Sequence, residues 1–427
     1  MARKDCGIAL LLLLSLAIAG AHRNRKIKKK VVNSDELKDD SRSGEPELVT
    51  VIALKEAKFD FGDNATVEQY LRDSGNYDPK SVLPYDVTVD TAARNRIFVA
   101  TPQVARGIPV SLSTSPFQDP GSSSLKPYPS LDVHRTTEDT ITDCNTQLVS
   151  VFTTTKTSAD EDTLFAMDSG VLDIIKNPRA VCPPKIVSFD LQTDKVINVT
   201  IIENAACNTI YTLIRVEQCA DGRLVAYIAD TVGFQLTVTD LTTGVSKHLQ
   251  SQYFYPKPGY FFTKAGGPST YLPYGLYGIS GDDRCDGKLY MQGHATNIQA
   301  AVKKEAIQKA NDGDILDTMT QVALPGRLAG PSGPLAADPS GQLLFFPQQD
   351  ALAVYCWNTS KPHHPHNFRM IARDSERLQY FSHMKVDPTS MRLYLGTNRF
   401  TKYLSKTIDY SDYNYRLLYI NLSGITC

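Results

Sequence analysis

Six short strand-like segments, each with one aromatic residue at the same place, recur along this chain and limit its possible folds. Each segment follows a polar turn and is apolar around its aromatic residue, which is typical of a buried strand. The aromatic residues lie 49 to 67 residues apart, somewhat more than the ~40–50 residues of one propeller blade. The segments are residues 96–99, 163–166, 224–227, 288–291, 343–346 and 392–395.

This repeat predicts an all-β fold, a six-bladed β-propeller. One small sheet cannot bury both of its faces, so neighbouring sheets must stack, and radial stacking leaves only short, protected edges. A β-sandwich is the alternative, but a sandwich gives no reason for one strand signature to recur six times. We expect a short helix inserted in blade four at residues 299–310, and long loops at 107–132 and 251–273 over one face of the ring.

Both ends of the chain carry further information. Residues 1–21 have a basic start, an apolar core and small residues at the end, which predicts a signal peptide and a secreted, extracellular protein. Residues 22–46 are basic and then acidic, which predicts a disordered tail before a propeller at residues 47–427. The formal net charge is −1, of which residues 1–30 contribute +7, so the remainder is acidic and unsuited to nucleic acid.

An open ring would leave two unpaired strand edges. We therefore expect the last strand, at residues 415–421, to pair with an early strand near residues 49–53. No later segment is apolar enough over a sufficient length to span a membrane.

Cysteines and glycosylation sequons fit a secreted chain. None of the cysteines forms a paired metal knuckle, and six paired cysteines still allow many connectivities. Cys6 leaves with the signal peptide, and the remaining seven are Cys144, Cys182, Cys207, Cys219, Cys285, Cys356 and Cys427. The sequons, expected on outer loops and edges, are at Asn64, Asn198, Asn358 and Asn421.

Aspartates stand at the ends of several predicted strands near the axis. Asp168, Asp230 and Asp387 are weak candidates for carboxylates that contact an amine or a cation. An aspartate at a strand end more often accepts hydrogen bonds from the turn that follows. Since the six marker strands do not share an acidic end, we expect neither an obligatory metal site nor a cofactor.

Two other tracts have alternative interpretations. The His363-His364-Pro365-His366 tract is expected to be an exposed loop, with adventitious metal binding as the lesser alternative. The aromatic-rich residues 253–277, which end at Tyr277, are expected to be half core and half loop cover. They could wall a pocket for a flat aromatic ligand, with cation–π contacts if that ligand is an amine.

Several longer motifs occur in a characteristic order. They include Ile108-Pro109, Lys126-Pro127-Tyr128-Pro129, Met167-Asp168-Ser169-Gly170, Cys356-Trp357-Asn358 and Asp409-Tyr410-Ser411-Asp412. Together they resemble the yellow / major royal jelly protein family over roughly residues 47–427. The resemblance implies a secreted six-bladed propeller from a family tied to insect cuticle pigmentation, royal jelly and amine capture in the saliva of some blood-feeders. Some members are reported as dopachrome-converting enzymes.

The resemblance also implies a ligand pocket at blade five. Amine-binding members contact ligand at the end of the inner strand and just after the marker strand, places that correspond here to Ser332 and to Pro347, Gln348 and Gln349. Proline and glutamine replace the Asn and aromatic types expected there, which makes amine binding less expected than the pocket itself.

Three functions remain open at this point. A binder of a small aromatic or amine ligand at the channel mouth is favoured because no catalytic constellation is visible. A dopachrome isomerase would need an acid/base pair, for which Asp168 and Asp230 are the candidates. A Ca²⁺-dependent lactonase-type propeller would need several oxygen ligands around one ion.

The disulfide prediction combines blade neighbourhood with the resemblance. The family links the positions of Cys144 and Cys219, and Cys182 lacks its customary partner because residues 159–165 depart from the family pattern. A disulfide bond between Cys182 and the nearby Cys207 would replace the missing one. We predict the pairs Cys144–Cys219, Cys182–Cys207 and Cys285–Cys356, with Cys427 unpaired or bonded to another chain.

Overall fold

Six antiparallel sheets form the blades of a propeller in the computed structural model, which describes residues 46–62, 65–90, 94–117, 124–157, 160–206, 208–320 and 322–427. Blade one contains Asp86–Asp90, Arg96–Ala100, Leu112–Pro116 and Ser124–Pro127, with Lys58–Phe59 parallel at its outer edge. Blade two contains Val151–Thr155, Thr163–Asp168, Lys185–Asp190 and Lys195–Ile201. Blade three contains Tyr211–Gln218, Leu224–Asp230, Gln235–Asp240 and Ser246–Gln250.

The remaining blades follow the same order. Blade four contains Leu276–Gly281, Lys288–Gly293, Ile298–Lys303 and Ala323–Arg327. Blade five contains Ala336–Ala337, Leu343–Gln348, Ala353–Asn358 and Phe368–Arg373. Blade six contains Tyr380–Asp387, Arg392–Asn398, Tyr415–Asn421 and, at its outer edge, Leu48–Leu54.

Short hairpins, helices and 3₁₀ turns lie in the loops between these strands. Two small hairpins pair Val171–Leu172 with Arg179–Ala180 and Phe262–Thr263 with Thr270–Tyr271. The α-helices are Ala65–Asp73, Lys304–Lys309 and Phe400–Leu404. The 3₁₀ turns are Pro79–Ser81, Leu131–Val133, Glu138–Thr140, Gln252–Phe254, Leu316–Thr318, Gln349–Ala351 and Pro365–Asn367. None of the helices in the described ranges has the length and apolar character needed to cross a membrane.

The blades close into a ring around a central axis. The first strand of each blade contacts the first strand of the next, and blade six contacts blade one in the same way. All six predicted marker segments are the second strands of their blades, and their aromatic residues are buried. Separate apolar clusters lie between successive blades, so each boundary has its own small core. The predicted six-bladed propeller is confirmed.

Strand pairing between the two ends of the chain completes blade six. Leu48–Leu54 runs antiparallel to Tyr415–Asn421, from Leu48 opposite Ile420 to Leu54 opposite Tyr415. The predicted closure is confirmed. It removes the edge that the last strand would otherwise expose to solvent and to other chains.

Two expectations about irregular segments need correction. Residues 299–310 are not one helix, because Ile298–Lys303 is the third strand of blade four and only Lys304–Lys309 is helical. Residues 107–132 do not form one long loop, because they contain Leu112–Pro116 and Ser124–Pro127 of blade one. Pro116 and Pro127 are the last residues of these two strands, where the lack of a backbone N–H removes few hydrogen bonds between strands.

All three predicted disulfide pairs are wrong. Cys144 is bonded to Cys182, with Cα atoms 5.6 Å apart, because the chain before blade two meets the loop that leads to its third strand. Cys219 is bonded to Cys285 at 5.3 Å, since both lie in the turn between first and second strands of neighbouring blades. These bonds exclude Cys144–Cys219 and Cys182–Cys207.

Cys356 is bonded to Cys427, with Cα atoms 5.7 Å apart. This bond excludes both the predicted Cys285–Cys356 pair and a free Cys427. After its last strand the chain turns back onto blade five, where Arg369 donates to the carbonyl oxygen of Thr426 at 2.6 Å. The final cysteine therefore fastens the end of the chain to the neighbouring blade.

The histidine tract is only partly exposed. His364 and His366 are exposed as predicted, but His363 is buried between blades four and five. Its Nε2 lies 2.8 Å from Gln299 Oε1, and its Nδ1 accepts from the Gly326 N–H at 3.1 Å. Burial lowers the pKa of His363 to about 4, so this histidine is a neutral structural link.

Some sequence predictions fall outside the described residues. These are the signal peptide at 1–21, almost all of the tail at 22–46, Asn64 and Cys207. Among the other sequons, Asn198 and Asn421 are exposed and Asn358 is half-buried. Glycosylation at the four positions stays a prediction.

Candidate functional site: an aromatic cluster on the propeller axis

Four tyrosines and one histidine meet on the axis at the end of the ring where the marker strands finish. We call Tyr85, Tyr274, Tyr277, His294 and Tyr380 the axial cluster. Its members come from blades one, four and six. Tyr85 and Tyr274 precede first strands, Tyr277 and Tyr380 lie at the start of first strands, and His294 follows a marker strand. The ring centroid of His294 lies 5.8 Å from that of Tyr274, 5.6 Å from that of Tyr277 and 5.8 Å from that of Tyr380.

Hydrogen bonding within the cluster is incomplete. The Tyr85 hydroxyl donates to the Tyr277 hydroxyl at 2.5 Å, which donates to the carbonyl oxygen of Ser382 at 3.0 Å. His294 is 0% exposed, and within the described part of the chain neither of its ring nitrogens has a hydrogen-bond partner. The Tyr380 hydroxyl has no partner of good geometry there either. Buried polar atoms are almost always paired, so these orphans call for a functional explanation.

Burial keeps the whole cluster neutral near pH 7. It lowers the pKa of His294 to about 4, opposed only in part by the nearby carboxylate of Asp350. It raises the pKa of Tyr274 to about 12 and those of Tyr85 and Tyr277 well above their ordinary value. A neutral imidazole has one donor and one acceptor nitrogen, and each phenol can donate. The cluster therefore offers aromatic faces and neutral polar groups, without a fixed charge.

The loop at residues 251–273 covers this end of the ring. The predicted crossing of one face is confirmed, since the loop, which connects blades three and four, also contacts Asp350 after the marker strand of blade five and Thr401 after that of blade six. One carboxylate oxygen of Asp350 accepts from Thr263 Oγ1 at 2.7 Å and from the backbone N–H groups of Lys264 at 2.8 Å and Ala265 at 3.3 Å. Beyond the loop, Tyr274 is the half-buried outer wall of the axial cluster.

Close packing at the loop tip requires glycine. Gly266 has φ of +78°, and a Cβ there would come within 2.7 Å of the Gln379 side chain. The tip is therefore pressed against blade six beside Tyr380.

The blade-five residues implied by the resemblance lie beside the axial cluster. The backbone N–H of Ser332 donates to the carbonyl oxygen of His294 at 3.3 Å, and its hydroxyl donates to that of Pro347 at 2.7 Å. The Gln349 side chain donates to the Phe381 carbonyl oxygen at 3.1 Å and accepts from the Phe381 N–H at 3.0 Å. Ser332, Pro347 and Gln349 thus hold blades together around the site. Gln348 is buried next to them.

Asp168 is a structural carboxylate. It is fully buried, accepts from the N–H groups of Val149 and Ser150 at 2.9 and 2.8 Å, and pairs with Lys185 Nζ at 2.9 Å. Burial pushes its pKa upward, but Lys185 and the backbone donors outweigh burial and lower it. Because all of these partners belong to blade two, Asp168 stabilises the end of its own strand.

Asp230 occupies the same position in blade three without a lysine partner. It accepts from the N–H groups of Ile210 and Gly233 and from Gln235 Nε2, at 2.8 to 3.1 Å. Burial raises its pKa to about 7, although the three donors oppose the shift. These contacts make Asp230 another cap, and they do not join it to Asp168 as an acid/base pair. Asp387 likewise accepts from the Thr389 N–H and the Ser390 hydroxyl of its own turn.

His294 is the residue that sequence reasoning passed over. It directly follows the marker strand of blade four, one position beyond the strand ends that Asp168 and Asp230 occupy in blades two and three. A titratable side chain just after a marker strand was the signal that the sequence offered for this site. That its ring nitrogens lack hydrogen-bond partners among the described residues depends on the packing of three blades. Within the described residues, no group of three or more His, Cys, Asp or Glu side chains could hold a metal ion.

The other end of the central channel has a different character. It contains a cavity of about 140 Å³ whose lining includes Lys156, Arg215 and Lys385. Each of these cations is paired with a buried carboxylate, so its charge serves to join strands and blades. The pairs are Lys156–Asp90 at 3.1 Å, Arg215–Glu217 at 2.6 Å and Lys385–Asp86 at 2.6 Å.

The sequence of this chain is similar to those of several known proteins, as a family model and three relatives show. The family model described as Major royal jelly protein matches residues 149–425. A dopaminechrome tautomerase of Drosophila melanogaster is 28% identical over 372 residues, which cover 82% of this chain and 77% of that protein. Protein yellow of Drosophila subobscura is 28% identical over 368 residues, covering 83% and 62%. Major royal jelly protein 3 of Apis mellifera is 25% identical over 409 residues, covering 88% and 69%.

Proposed function

Because this chain belongs to the major royal jelly protein family, we propose that it is a secreted propeller that binds a small aromatic ligand against the axial cluster. The ligand class is a catechol or an aromatic amine. The observation that carries the proposal is His294, which is wholly buried among tyrosine rings and whose two ring nitrogens have no partner among the described residues. Secretion is supported by the apolar segment within residues 1–21 and by three disulfide bonds in the described chain.

The chemistry of the cluster fits such a ligand. Aromatic rings favour edge-to-face or offset contacts, and Tyr274, Tyr277 and Tyr380 present rings on several sides of His294. A catechol hydroxyl can either donate to the unprotonated imidazole nitrogen or accept from the protonated one. An ammonium on the ligand is favoured by the tyrosine faces and by the carboxylate of Asp350, which is close enough to act on the pKa of His294.

Entry to the site requires movement. His294 has no exposed surface, and the half-buried Tyr274 stands between it and the covering loop. The ligand therefore enters by displacing Tyr274 together with the loop tip held by Asp350. Association is expected to be slower than diffusion allows, because the covered state must open first.

Calorimetry with dopamine, tyramine, catechol and cyclohexylamine tests the proposal. Dopamine and catechol should bind, and cyclohexylamine, which has an amine without an aromatic ring, should not. His294→Leu should abolish the heat of binding. His366→Ala, which changes an exposed histidine far from the axis, is the matched control and should bind as the wild type does. Equal binding by His294→Leu and the wild type would exclude the axial cluster as the site.

Tautomerisation of an aminochrome is the second candidate function. It is favoured by the similarity to a dopaminechrome tautomerase and by the neutral imidazole of His294. In such an isomerisation a base removes a ring C–H proton and an acid protonates the quinone oxygen, so no electrons are exchanged with a cofactor. His294 can accept the proton, and the Tyr380 hydroxyl can donate one.

A dopaminechrome decay assay separates the two candidates. Faster decay with the wild type, lost in His294→Leu, would establish catalysis at the cluster. Binding of dopamine with unchanged decay would identify a binder alone.

A further inference from the structure

A second cleft lies on the same end of the propeller, away from the axial cluster. Its volume is about 300 Å³. It is formed by the segment before blade one, the loop after the marker strand of blade two, and the helix and loop after the marker strand of blade six. Three lysines from these three segments, Lys80, Lys176 and Lys406, line it, and we call it the lysine cleft.

The three ammonium groups are not neutralised. In the described chain none of them forms an ion pair within 4 Å or a side-chain hydrogen bond. Among the described lining residues Asp78 is the one carboxylate, and it accepts from the Lys80 backbone N–H at 3.0 Å and from the Ser81 hydroxyl at 3.3 Å. Asp173 in the adjoining loop is close enough for Lys176 to act on its pKa, but the two form no ion pair.

The walls of the lysine cleft are apolar and aromatic. The Tyr403 and Tyr410 hydroxyls donate to the carbonyl oxygens of Ser81 at 2.8 Å and Lys80 at 2.9 Å, which fixes both rings. The Lys80 ammonium lies 5.6 Å from the centroid of the Tyr410 ring. The remaining apolar wall residues are Ala105, Ile175, Leu404 and Ile408.

We propose that the lysine cleft binds a small organic anion, with a carboxylate, sulfate or phosphate group on an aromatic or branched apolar body. Each ammonium can donate a charge-assisted hydrogen bond to the anion and offset its negative charge. No arginine is among the described residues that line the cleft, so the anion would be recognised by the point charges of ammonium groups and not by a planar guanidinium. The two fixed tyrosine rings and the aliphatic side chains of the wall would contact the apolar part of the anion.

Titration calorimetry with phenyl phosphate tests this proposal on the full chain. Phenyl phosphate should bind, more weakly at high salt, while inorganic phosphate and benzyl alcohol bind much more weakly because each supplies only half of the contacts. Lys176→Gln combined with Lys406→Gln should reduce affinity about tenfold or more. Lys288→Gln combined with Lys303→Gln changes two exposed lysines on blade four and serves as the matched control.

Each other outcome overturns the proposal. If inorganic phosphate binds as tightly as phenyl phosphate, the cleft recognises charge alone. If the first double variant binds normally, or if His294→Leu removes phenyl phosphate binding, the ligand lies elsewhere. Failure here leaves dopamine binding at the axial cluster untouched, so the two sites are tested separately.

Discussion

His294 is a buried polar side chain whose desolvation is not offset by hydrogen bonds to any residue that the structure describes. Leaving a buried donor or acceptor unsatisfied costs about 1–3 kcal/mol, whereas an apolar side chain of similar size carries no such cost. His363 is the natural comparison, because it is also buried and neutral but has both nitrogens paired. The contrast between them indicates that His294 is retained for something other than stability.

Replacing His294 by leucine is therefore expected to stabilise the protein while abolishing ligand binding. The gain in the free energy of unfolding should be about 1–3 kcal/mol, measured by urea denaturation. His363→Leu is the control and should destabilise, because it leaves the Gly326 N–H and the Gln299 amide unpaired. Loss of stability in His294→Leu would show that the imidazole has a structural role.

Asp168 and Asp230 occupy equivalent strand ends but differ in one partner. The lysine beside Asp168 lowers its pKa, while burial without a lysine raises the pKa of Asp230 to about 7. The folded state therefore holds a proton on Asp230 in a range where the unfolded chain has already lost it. Asp230 supports stability fully below about pH 4 and less as the pH rises to about 7.

Asp230→Asn is expected to remove this dependence. Its free energy of unfolding relative to the wild type should rise between about pH 4 and pH 7, by on the order of 2–4 kcal/mol, because the variant has no carboxyl to ionise. The measurement is urea unfolding of both proteins at intervals across that range. A difference that stays constant with pH would contradict the raised pKa.

The loop at residues 251–273 is the element that closes the candidate site. Its tip depends on a single carboxylate oxygen, since Thr263, Lys264 and Ala265 all donate to Asp350. Thr401 Oγ1 adds one further contact, to the carbonyl oxygen of Lys264 at 3.3 Å. Besides the packing of the buried Ala265 and of Gly266, these hydrogen bonds are what holds the tip, and their loss favours local opening without unfolding of the blades.

Asp350→Ala is expected to loosen the tip. Hydrogen exchange at the Lys264 and Ala265 amides should become faster by about tenfold or more, and dopamine should associate faster, while global stability falls by less than about 1 kcal/mol. Asp317→Ala, which removes an acceptor for the Gln252 N–H at the start of the loop, is the control. Unchanged exchange at Lys264 and Ala265 would mean that packing alone holds the tip.

At the scale of the whole molecule, the pairing of an N-terminal with a C-terminal strand and one disulfide bond hold the two ends of the propeller in place. Leu48–Leu54 joins blade six, and Cys427 is bonded to Cys356 of blade five across 71 residues of sequence. The Cys144–Cys182 bond spans only 38 residues. A longer closed loop restricts the unfolded chain somewhat more.

Cys356→Ala combined with Cys427→Ala should lower the free energy of unfolding by about 2–4 kcal/mol. The loss should exceed that of Cys144→Ala combined with Cys182→Ala by only about 0.5 kcal/mol, because the entropy of closure grows with the logarithm of loop length. Denaturant unfolding measures both, and proteolysis should show release of the last residues in the first variant alone. A tail that stays protected there would show that packing and Arg369 hold it.

The sequence alone determined the ring. Each marker strand carries its own local signal, and the unpaired edge of the last strand left the N-terminal strand as the partner that closes blade six. Tertiary structure decided what depends on the paths of loops between blades. It set the disulfide pairs, the isolation of His294 and the meeting of three lysines, because each joins residues distant in sequence. Strand periodicity fixes which residues face a core, but not which loop ends come within bonding distance of one another.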